Sequence, residues 1–298
     1  MIVCTHNRAH RLEQTLNSLQ QMTVPVDLAW ELIIVDNNSN DNTKEVIDSF
    51  INKSSLHVKY VIERHQGISH ARNMGIREAR GHIIAFTDDD CIVDRYWITA
   101  ISKEFHADES IAGIGGRVLL YNKLDRPVSI RVHEERTILS STDRILKFMI
   151  GCNMAFARPV FDEIGIFDTD FGVGSRFASA EDLDFLYRVY KKGLKIVYSP
   201  DILVYHNHGR RSDEQIKSLM QGYAIGRGAF YCKYILRGDK DIIHFAYAEM
   251  MYLLKGMMKR LIKGQSSTNQ RLFFTAILVG CVYRLIKPPY KLKGSAKF

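Results

Sequence analysis

The 298-residue sequence lacks the cysteine pattern of a disulfide-bonded or zinc-binding protein. Its five cysteines are odd in number, widely separated and never arranged as a CxxC pair. Disulfide frameworks need paired thiols, and structural zinc sites need closely spaced ones. Neither is therefore supported, and a reducing compartment fits best.

Membrane-directing segments are missing as well. The N-terminus opens directly into the polar residues 5–8, without the apolar stretch of a secretory signal. The longest nearly uncharged apolar run, residues 272–283, is shorter than the roughly 20 residues that a spanning helix needs. We therefore expect a cytoplasmic protein.

Two glycine-rich nucleotide-binding loops are also absent. The segment after the first predicted strand, residues 5–10, reads THNRAH, where a dinucleotide-binding fold would show GxGxxG. No Walker P-loop occurs either. These absences argue against dehydrogenases and P-loop NTPases. A nucleotidyltransferase would normally offer a glycine-rich loop at the same place, so that class is disfavoured too.

The charge is unevenly distributed. The chain has 41 Lys and Arg against 33 Asp and Glu, a net charge of +8, and 17 of the basic but only 5 of the acidic residues follow His208. The basic character therefore belongs to the C-terminal part. No nucleic-acid partner is expected.

Apolar runs alternate with helix-like segments over the first 211 residues. The predicted strands cover residues 1–4, 31–36, 58–62, 82–90, 111–118, 151–158, 194–198 and 202–208. This alternation predicts an α/β fold with a doubly wound, mostly parallel sheet. The first strand is shorter than usual, so we expect the natural strand to begin earlier. Residues 122–144 are expected to form a loop or short helix, and residues 167–179 a loop with little to bury.

The most unusual stretch is residues 82–90, an apolar run that ends in Asp88, Asp89 and Asp90. Adjacent carboxylates repel each other unless a cation or water offsets them. In an open parallel sheet, ligands bind beyond the carboxyl ends of the strands. Oxygen clusters of this kind suit Mg²⁺ or Mn²⁺. Taken alone, a solvated acidic turn explains the stretch equally well.

Other polar groups follow neighbouring strands. The predicted ends carry residues 5–8, Asp36, residues 64–67 and the three aspartates, which would place acids for a metal and ribose beside arginines for phosphate. Further on, Glu181 and Asp182 open a predicted helix, where acids also simply complement the helix dipole.

These segments together resemble the family-2 glycosyltransferases with the GT-A fold, over residues 1–211. The resemblance rests on the order and spacing of CTHNR at 4–8, VDNNS at 35–39, GISHARNMG at 67–75, DDD at 88–90, CNM at 152–154, ED at 181–182 and His206. It implies a nucleotide-sugar half at about 1–116 and an acceptor half at about 117–211.

The resemblance also implies roles for the donor side. The residues expected to bind the donor are Thr5, Asn7, Arg8, Asp36, Arg72, Asn73, Asp88 and Asp90. Asp90 would be a ligand of Mn²⁺ or Mg²⁺, Asp88 a ribose or metal contact, and His206 a further metal ligand. Asp89 is expected to be structural and to matter least on mutation. His208 would lie near the metal without binding it, or face solvent.

On the acceptor side, the resemblance implies an inverting reaction. Asp182 is the expected general base, and Glu181 would orient Asp182 or the acceptor. Arg210 and Arg211 are expected either to close over the diphosphate or to form a basic surface turn. A UDP-sugar is the favoured donor, and a hydroxyl of a glycan or lipid-linked molecule the acceptor. The alternative is a catalytically silent relative that serves as a membrane or protein binding module.

Residues 212–298 are expected to form a basic, helical C-terminal extension. Apolar and aromatic residues alternate there with lysines and arginines, a pattern suited to an anionic membrane surface. We expect peripheral attachment to the inner face of the cell membrane. An ordinary helical layer or an oligomer contact fits the pattern equally well.

Overall fold

The computed structural model describes residues 1–286, without the side chains of Asp143, Arg144, Lys147 and Asn269. The expected basic residues after Ile286 lie outside the described part. The strands are β1 (Ile2–Thr5), β2 (Leu32–Asp36), β3 (Val58–Ile62), β4 (Ile83–Asp88), β5 (Cys91–Val93), β6 (Ile111–Leu120), β7 (Thr137–Ile138), β8 (Asn153–Ala157) and β9 (Lys195–His206). The helices are α1 (Ala9–Gln20), α2 (Thr43–Lys53), α3 (Ile68–Glu78), α4 (Trp97–Ala107), α5 (Arg158–Ile164), α6 (Glu181–Lys191), α7 (Asp213–Ile235), α8 (Lys240–Ile262) and α9 (Thr268–Ile286), with a 3-10 helix at Thr142–Lys147.

The strands form one sheet in the order β3-β2-β1-β4-β8-β6-β9-β5, with β7 paired to β9. Strands β1 to β4, β6 and β9 run in one direction, and β5, β7 and β8 run against them. The mostly parallel sheet is therefore confirmed. The ends of β1, β2 and β4 lie side by side because these strands are parallel neighbours.

Helices cover both faces of the sheet, as the alternating side chains of its strands require. In β1, Ile2 belongs to the core on the side of α3 and α6, whereas Val3 belongs to the core on the side of α1 and α4. The fully buried Phe185 of α6 and Trp97 of α4 are among the largest side chains of the two cores. This is the doubly wound arrangement that the sequence predicts.

The prediction of two strands at 194–198 and 202–208 is wrong, because β9 is a single strand that continues to His206. Its pairing with β6 shifts register between Gly116 and Arg117, which marks a bulge. The buried Asn153 side chain donates to the carbonyls of Arg117 and Ile202, at 2.9 and 2.8 Å. The bulge therefore leaves no unpaired carbonyl at these two positions, and β9 delivers His206 to the end of the sheet.

The expectation that residues 167–179 have little to bury is also wrong. Phe171 and Phe177 are fully buried and pack against each other. The segment also packs closely against Gly67. The φ of Gly67 is 130°, a value that glycine adopts readily, and a Cβ at this position would lie only 2.5 Å from Ser175 Oγ. This contact fixes the loop beside the first turn of α3.

Helix α7 packs directly on the sheet-bearing part of the chain. Lys233 of α7, although buried, donates to Asp184 of α6 and, at 2.8 Å, to Asp168. Phe230 and Tyr234 pack edge-to-face against Tyr187. Buried ion pairs and aromatic contacts thus join the predicted extension to α6. The division of the chain at residue 212 stays a prediction.

Candidate active site

A cavity of about 1470 Å³ opens where the parallel strands end. Most of the predicted site residues line it, namely Thr5, Arg8, Arg72, Asp88, Asp90, Glu181, Asp182, His206 and Arg210. The opposite wall includes residues 129–135 together with Leu219, Tyr223 and Arg227 of α7. The fold therefore gathers residues that are more than 200 positions apart in the chain.

Arg72 lies at the centre of the cavity's acidic wall. It is buried, because α3 points its side chain beneath the ends of β1 and β4. Its guanidinium donates to Glu181 Oε1 at 2.8 Å, to Asp88 Oδ1 at 3.3 Å and to the carbonyl of Gly151 at 3.2 Å. Burial opposes its charge, but Glu181 and Asp88 outweigh that effect and raise the pKa of Arg72. Arg72 thus fixes Asp88 and Glu181 relative to each other.

The two acids at the start of α6 have different environments. Asp182 is half-buried, and its Oδ2 accepts the backbone N–H of Gly151 at 3.0 Å. Glu181 is buried, and burial followed by the charge of Asp182 raises its pKa to about 7, although Arg72 opposes the rise. The Asp182 carboxylate is more exposed to the cavity than that of Glu181, which is buried and paired with Arg72.

The three aspartates after β4 also differ. Arg8 Nη1 donates to Asp89 Oδ1 at 3.0 Å and to Asp90 Oδ2 at 2.9 Å, and both acids are buried. Asp89 therefore has a structural contact, because it is an ion-pair partner of Arg8. That its mutation matters least stays a prediction. Asp88 faces Arg72 and keeps about a third of its side chain exposed.

His206 and Asp90 form a buried pair of ligand-type groups at the end of the sheet. Asp90 Oδ1 is buried, accepts no well-formed hydrogen bond among residues 1–286, and lies 3.3 Å from His206 Nε2. Burial alone would raise the pKa of Asp90, but His206 and Arg8 hold it well below its usual range. Burial would lower the pKa of His206, and the contact with Asp90 instead raises it to about 9.

This pair fits a divalent cation. A buried carboxylate oxygen without a hydrogen-bond donor, next to an imidazole nitrogen, suits a metal in place of the imidazole proton. The Cys91 thiol also lies within 4.8 Å of both groups. Burial raises the pKa of the Cys91 thiol well above its ordinary value, and sulfur is not the ligand that Mn²⁺ or Mg²⁺ prefers. The fitting set is an oxygen and nitrogen set, which suits Mn²⁺ or Mg²⁺ better than a thiophilic metal.

Four predicted site residues are not among those that line the cavity. Asp36 accepts the Tyr60 hydroxyl at 3.0 Å, and the amide of Asn73 is engaged by the backbone of Phe167 at 2.8 and 2.9 Å. The side chain of Asn7 accepts the backbone N–H of Asn40, and Arg211 pairs with Asp125 at 3.0 Å. Direct contact of these four with the donor stays a prediction.

Arg210 and His208, the remaining basic groups near the site, differ in their surroundings. Arg210 lines the cavity, and its guanidinium has no hydrogen-bond or ion-pair partner in the described part of the chain. His208 has a fully buried side chain, so the alternative that it faces solvent is wrong. Burial, and then the charges of His206 and Arg210, lower the pKa of His208.

Sequence reasoning missed several residues of the site. Gly151 contributes its carbonyl to Arg72 and its N–H to Asp182, and its position beside the CNM segment at 152–154 was a usable signal. Ser129 and Tyr223 also line the cavity. They belong to an irregular segment and to a helix beyond the predicted catalytic part, so no local pattern pointed to them.

The fold and the cavity define a glycosyltransferase of the GT-A class. Residues 1–165 match the model of the family described as glycosyl transferase family 2. The chain therefore belongs to this family, which confirms the resemblance and the enzymatic class.

The chain is similar to several proteins of known kind. It is 24% identical over 309 residues to the glucosyl-dolichyl phosphate glucuronosyltransferase of Haloferax volcanii, covering 97% of this chain and 96% of the relative. It is 25% identical over 241 residues to the chondroitin synthase of Escherichia coli, covering 69% of this chain. It spans only 34% of that synthase.

Solved structures share the fold. The mannosyltransferase PcManGT from Pyrobaculum calidifontis, in complex with GDP-Man and Mn²⁺, has a TM-score of 0.66 at 20% identity and covers 97% of this chain and 87% of its own. Residues 1–349 of S. aureus TarS, in complex with UDP-GlcNAc, have a TM-score of 0.56 at 20% identity, covering 76% of this chain and 65% of theirs. At this identity the likeness establishes the fold alone.

Proposed function

We propose that the protein is an inverting, metal-assisted glycosyltransferase that moves a sugar from a nucleotide diphosphate, with UDP favoured, to a hydroxyl of a glycan or lipid-linked acceptor. One observation carries the proposal. Arg72 joins Asp88 on the donor side to Glu181 on the acceptor side, with Asp182 anchored beside it on Gly151. The sugar would lie between these two groups of acids.

On the donor side, Asp90 and His206 would hold the cation, with Asp88 close by. When bound, a divalent cation offsets the negative charge that develops on the leaving diphosphate. Arg210 is the free cationic side chain of the described cavity lining and would bind the same phosphates. The mannosyltransferase structure with GDP-Man and Mn²⁺ supports a nucleotide-sugar and metal site of this kind.

On the acceptor side, Asp182 would take the proton of the attacking hydroxyl. The hydroxyl oxygen forms a bond to the anomeric carbon as the bond to the diphosphate breaks on the opposite face, so the centre inverts. A base must lie within about 3 Å of that hydroxyl. Asp182 meets this need because it is half-buried and already oriented by Gly151. The name of the Haloferax relative, a glucosyl-dolichyl phosphate glucuronosyltransferase, supports a lipid-linked acceptor.

Donor hydrolysis provides the test. Purified protein is incubated with UDP-, GDP- and dTDP-sugars and Mn²⁺, and nucleotide release is measured with and without lipid-linked or glycan acceptors. We expect release from one nucleotide class, stimulated by an acceptor and lost in Asp182→Asn. Asp201→Asn, an exposed acid on β9, is the matched control. Absence of release from every donor would instead favour the catalytically silent relative.

We also propose that the end of α8 rests on an anionic membrane surface. No helix within residues 1–286 is both long enough and apolar enough to cross a bilayer. Leu261 and Ile262 are nevertheless 66% and 83% exposed, and the exposed Lys259 and Lys263 lie on either side of them in the sequence. Exposed apolar groups flanked by cations match the chemistry of an anionic headgroup layer.

Vesicle co-sedimentation tests the membrane proposal. The protein should sediment with phosphatidylglycerol vesicles at low salt and remain in solution with phosphatidylcholine vesicles. The double variant Lys259→Glu/Lys263→Glu should lose this binding, whereas Lys53→Glu/Lys103→Glu, which reverses exposed charges on α2 and α4, should retain it. If the protein does not bind anionic vesicles and instead self-associates through the α8 surface, that surface is an oligomer contact and the membrane proposal is wrong.

A further inference from the structure

Ser129 adopts a backbone conformation that is unusual for its residue type. Its φ is 52°, in the left-handed region that favours glycine. The residue lies in the segment between β6 and β7 and lines the cavity opposite the acidic wall. Such a conformation persists only where neighbouring contacts hold it.

Ser129 has contacts with two different elements, β9 and α7. Its carbonyl oxygen lies 3.3 Å from Nδ1 of His206, at the end of β9. Its hydroxyl lies 2.7 Å from the Tyr223 hydroxyl, on α7. One residue therefore connects helix α7 to the imidazole that faces Asp90.

The contact with His206 has a defined polarity. A carbonyl oxygen only accepts, so the Nδ1 atom of His206 must carry the hydrogen in this bond. The opposite ring atom, Nε2, then faces Asp90 and is the atom that a cation would use. Partners on the far nitrogen of a metal-binding imidazole set its orientation, and their loss typically weakens metal binding about 10- to 100-fold.

Tyr223 is suited to hold Ser129 in place. Burial raises the pKa of the Tyr223 hydroxyl to about 12, with the Ser129 contact opposing the rise, so the group stays protonated at neutral pH. The ring is anchored on α7, and α7 is itself held to α6 by the buried Lys233. The hydroxyl therefore offers a fixed hydrogen-bond partner to an otherwise irregular segment.

We propose that Ser129 and Tyr223 are positioning residues that fix the His206 imidazole for the cation and so couple helix α7 to the donor site. The inference rests on the proposed metal site at Asp90 and His206. It assigns a function to α7 that is distinct from walling the cavity. Movement of α7 by a bound acceptor would change the metal affinity.

The main experiment measures Mn²⁺ affinity from the paramagnetic resonance signal of the free ion. We expect Tyr223→Phe to weaken Mn²⁺ binding about 10-fold. Ser129→Gly tolerates the same positive φ and removes the side chain together with its hydroxyl, so it should cause a similar loss, and the double variant should lose little more than either single one. Tyr121→Phe, an exposed tyrosine of the same connecting segment, is the control and should bind Mn²⁺ as the wild type does.

A metal-free measurement separates this inference from the proposed function. The Hδ1 proton of His206, assigned by its absence in His206→Gln, should be visible by NMR in the wild type and exchange-broadened in Tyr223→Phe. That result supports the positioning pair even if the protein binds no Mn²⁺. An Hδ1 signal unchanged in Tyr223→Phe, or unchanged Mn²⁺ affinity in both variants, would overturn the inference. Additive losses in the double variant would also overturn it.

Discussion

The two sides of the cavity are built in different ways. The proposed donor side is formed largely by residues at the ends of β1, β4 and β9, so it follows from strand order in a mostly parallel sheet. The proposed acceptor side consists of the start of α6, α7 and irregular segments, and it depends on buried contacts such as the one between Lys233 and Asp184. A sheet edge gathers donor groups through general topology, whereas the acceptor wall requires particular side-chain pairs.

The two sides also differ in the kind of side chain that they present to the cavity. The charged groups proposed to act on a diphosphate lie at the sheet edge, and the proposed base, Asp182, lies at the start of α6. The wall beyond it presents Leu219 and Tyr223 of α7. Damage to the donor edge should therefore abolish turnover with little loss of stability, and damage to the α7 attachment should do the reverse.

The largest effect on turnover is expected for Asp90→Asn. The substitution preserves size but removes the charge that faces His206 and Arg8. Loss of metal assistance costs several kcal/mol of transition-state stabilisation, or about 10³-fold in kcat/KM. Steady-state nucleotide release at saturating Mn²⁺ measures it, with Asp201→Asn as the control. Turnover within threefold of the wild type would remove Asp90 from the proposed metal site.

Asp182→Asn is expected to lower kcat by about 10²- to 10⁴-fold, the contribution of a positioned general base. The donor KM should stay nearly constant, because Asp182 binds Gly151 and not the expected phosphate groups. A full kinetic comparison of both parameters tests this split. A rise in the donor KM with an unchanged kcat would assign Asp182 to donor binding and would break the distinction between the two sides.

Lys233→Met tests the acceptor side through stability. The variant removes the cation that Asp168 shares with the fully buried Asp184, whose remaining ion-pair partner is Arg188. Breaking a buried pair typically costs 3 to 5 kcal/mol, roughly 10 °C in Tm for a chain of this size. Thermal unfolding measures the loss, and Lys217→Met, an exposed lysine on the same helix, should unfold like the wild type. Equal Tm values for the two variants would contradict the buried network.

A smaller effect is expected on the pH dependence of stability. Burial and Asp182 raise the pKa of Glu181 from 4.5 to about 7, so the folded protein holds this proton more tightly than the unfolded chain. Through this group, stability is highest below pH 4.5 and falls as the pH rises to about 7. Glu181→Gln does not titrate and should lose less Tm between pH 5 and 7.5 than the wild type. Identical slopes would show that Glu181 does not carry the shifted pKa.

The smallest effect is expected on the donor KM, where the adjacent residues Arg210 and Arg211 should differ. Arg210 lines the cavity, whereas Arg211 pairs with Asp125 outside it. Arg210→Ala should raise the donor KM about 10-fold, the cost of one charge-assisted hydrogen bond. Arg211→Ala is the matched control and should stay within twofold. Equal effects on the donor KM would mean that neither residue binds the diphosphate selectively.

Much of the sheet could be predicted from local pattern. The apolar run at Val58–Ile62 and the alternation around it gave the strands and their mostly parallel order. The continuous strand β9 could not be predicted, because Pro200 and Asp201 resemble a turn in sequence. Only the buried Asn153, distant in the chain, satisfies the carbonyls that the bulge leaves free.

The site could be predicted where it follows strand ends and not where it depends on tertiary contacts. Asp90 and His206 were expected to meet, and the structure places them 3.3 Å apart. The link from Ser129 to Tyr223 joins residues 94 positions apart and has no periodic signal. The burial of Phe171 and Phe177 was missed for the same reason, since their partners lie in distant elements.

The most direct test of the two-sided site is calorimetric titration of UDP in the presence and absence of Mn²⁺, on the wild type, Asp90→Asn and Asp182→Asn. The proposed site predicts that Mn²⁺ strengthens UDP binding in the wild type and in Asp182→Asn, and has no effect in Asp90→Asn. Binding of UDP that is equally dependent on Mn²⁺ in all three proteins would contradict the donor-side assignment.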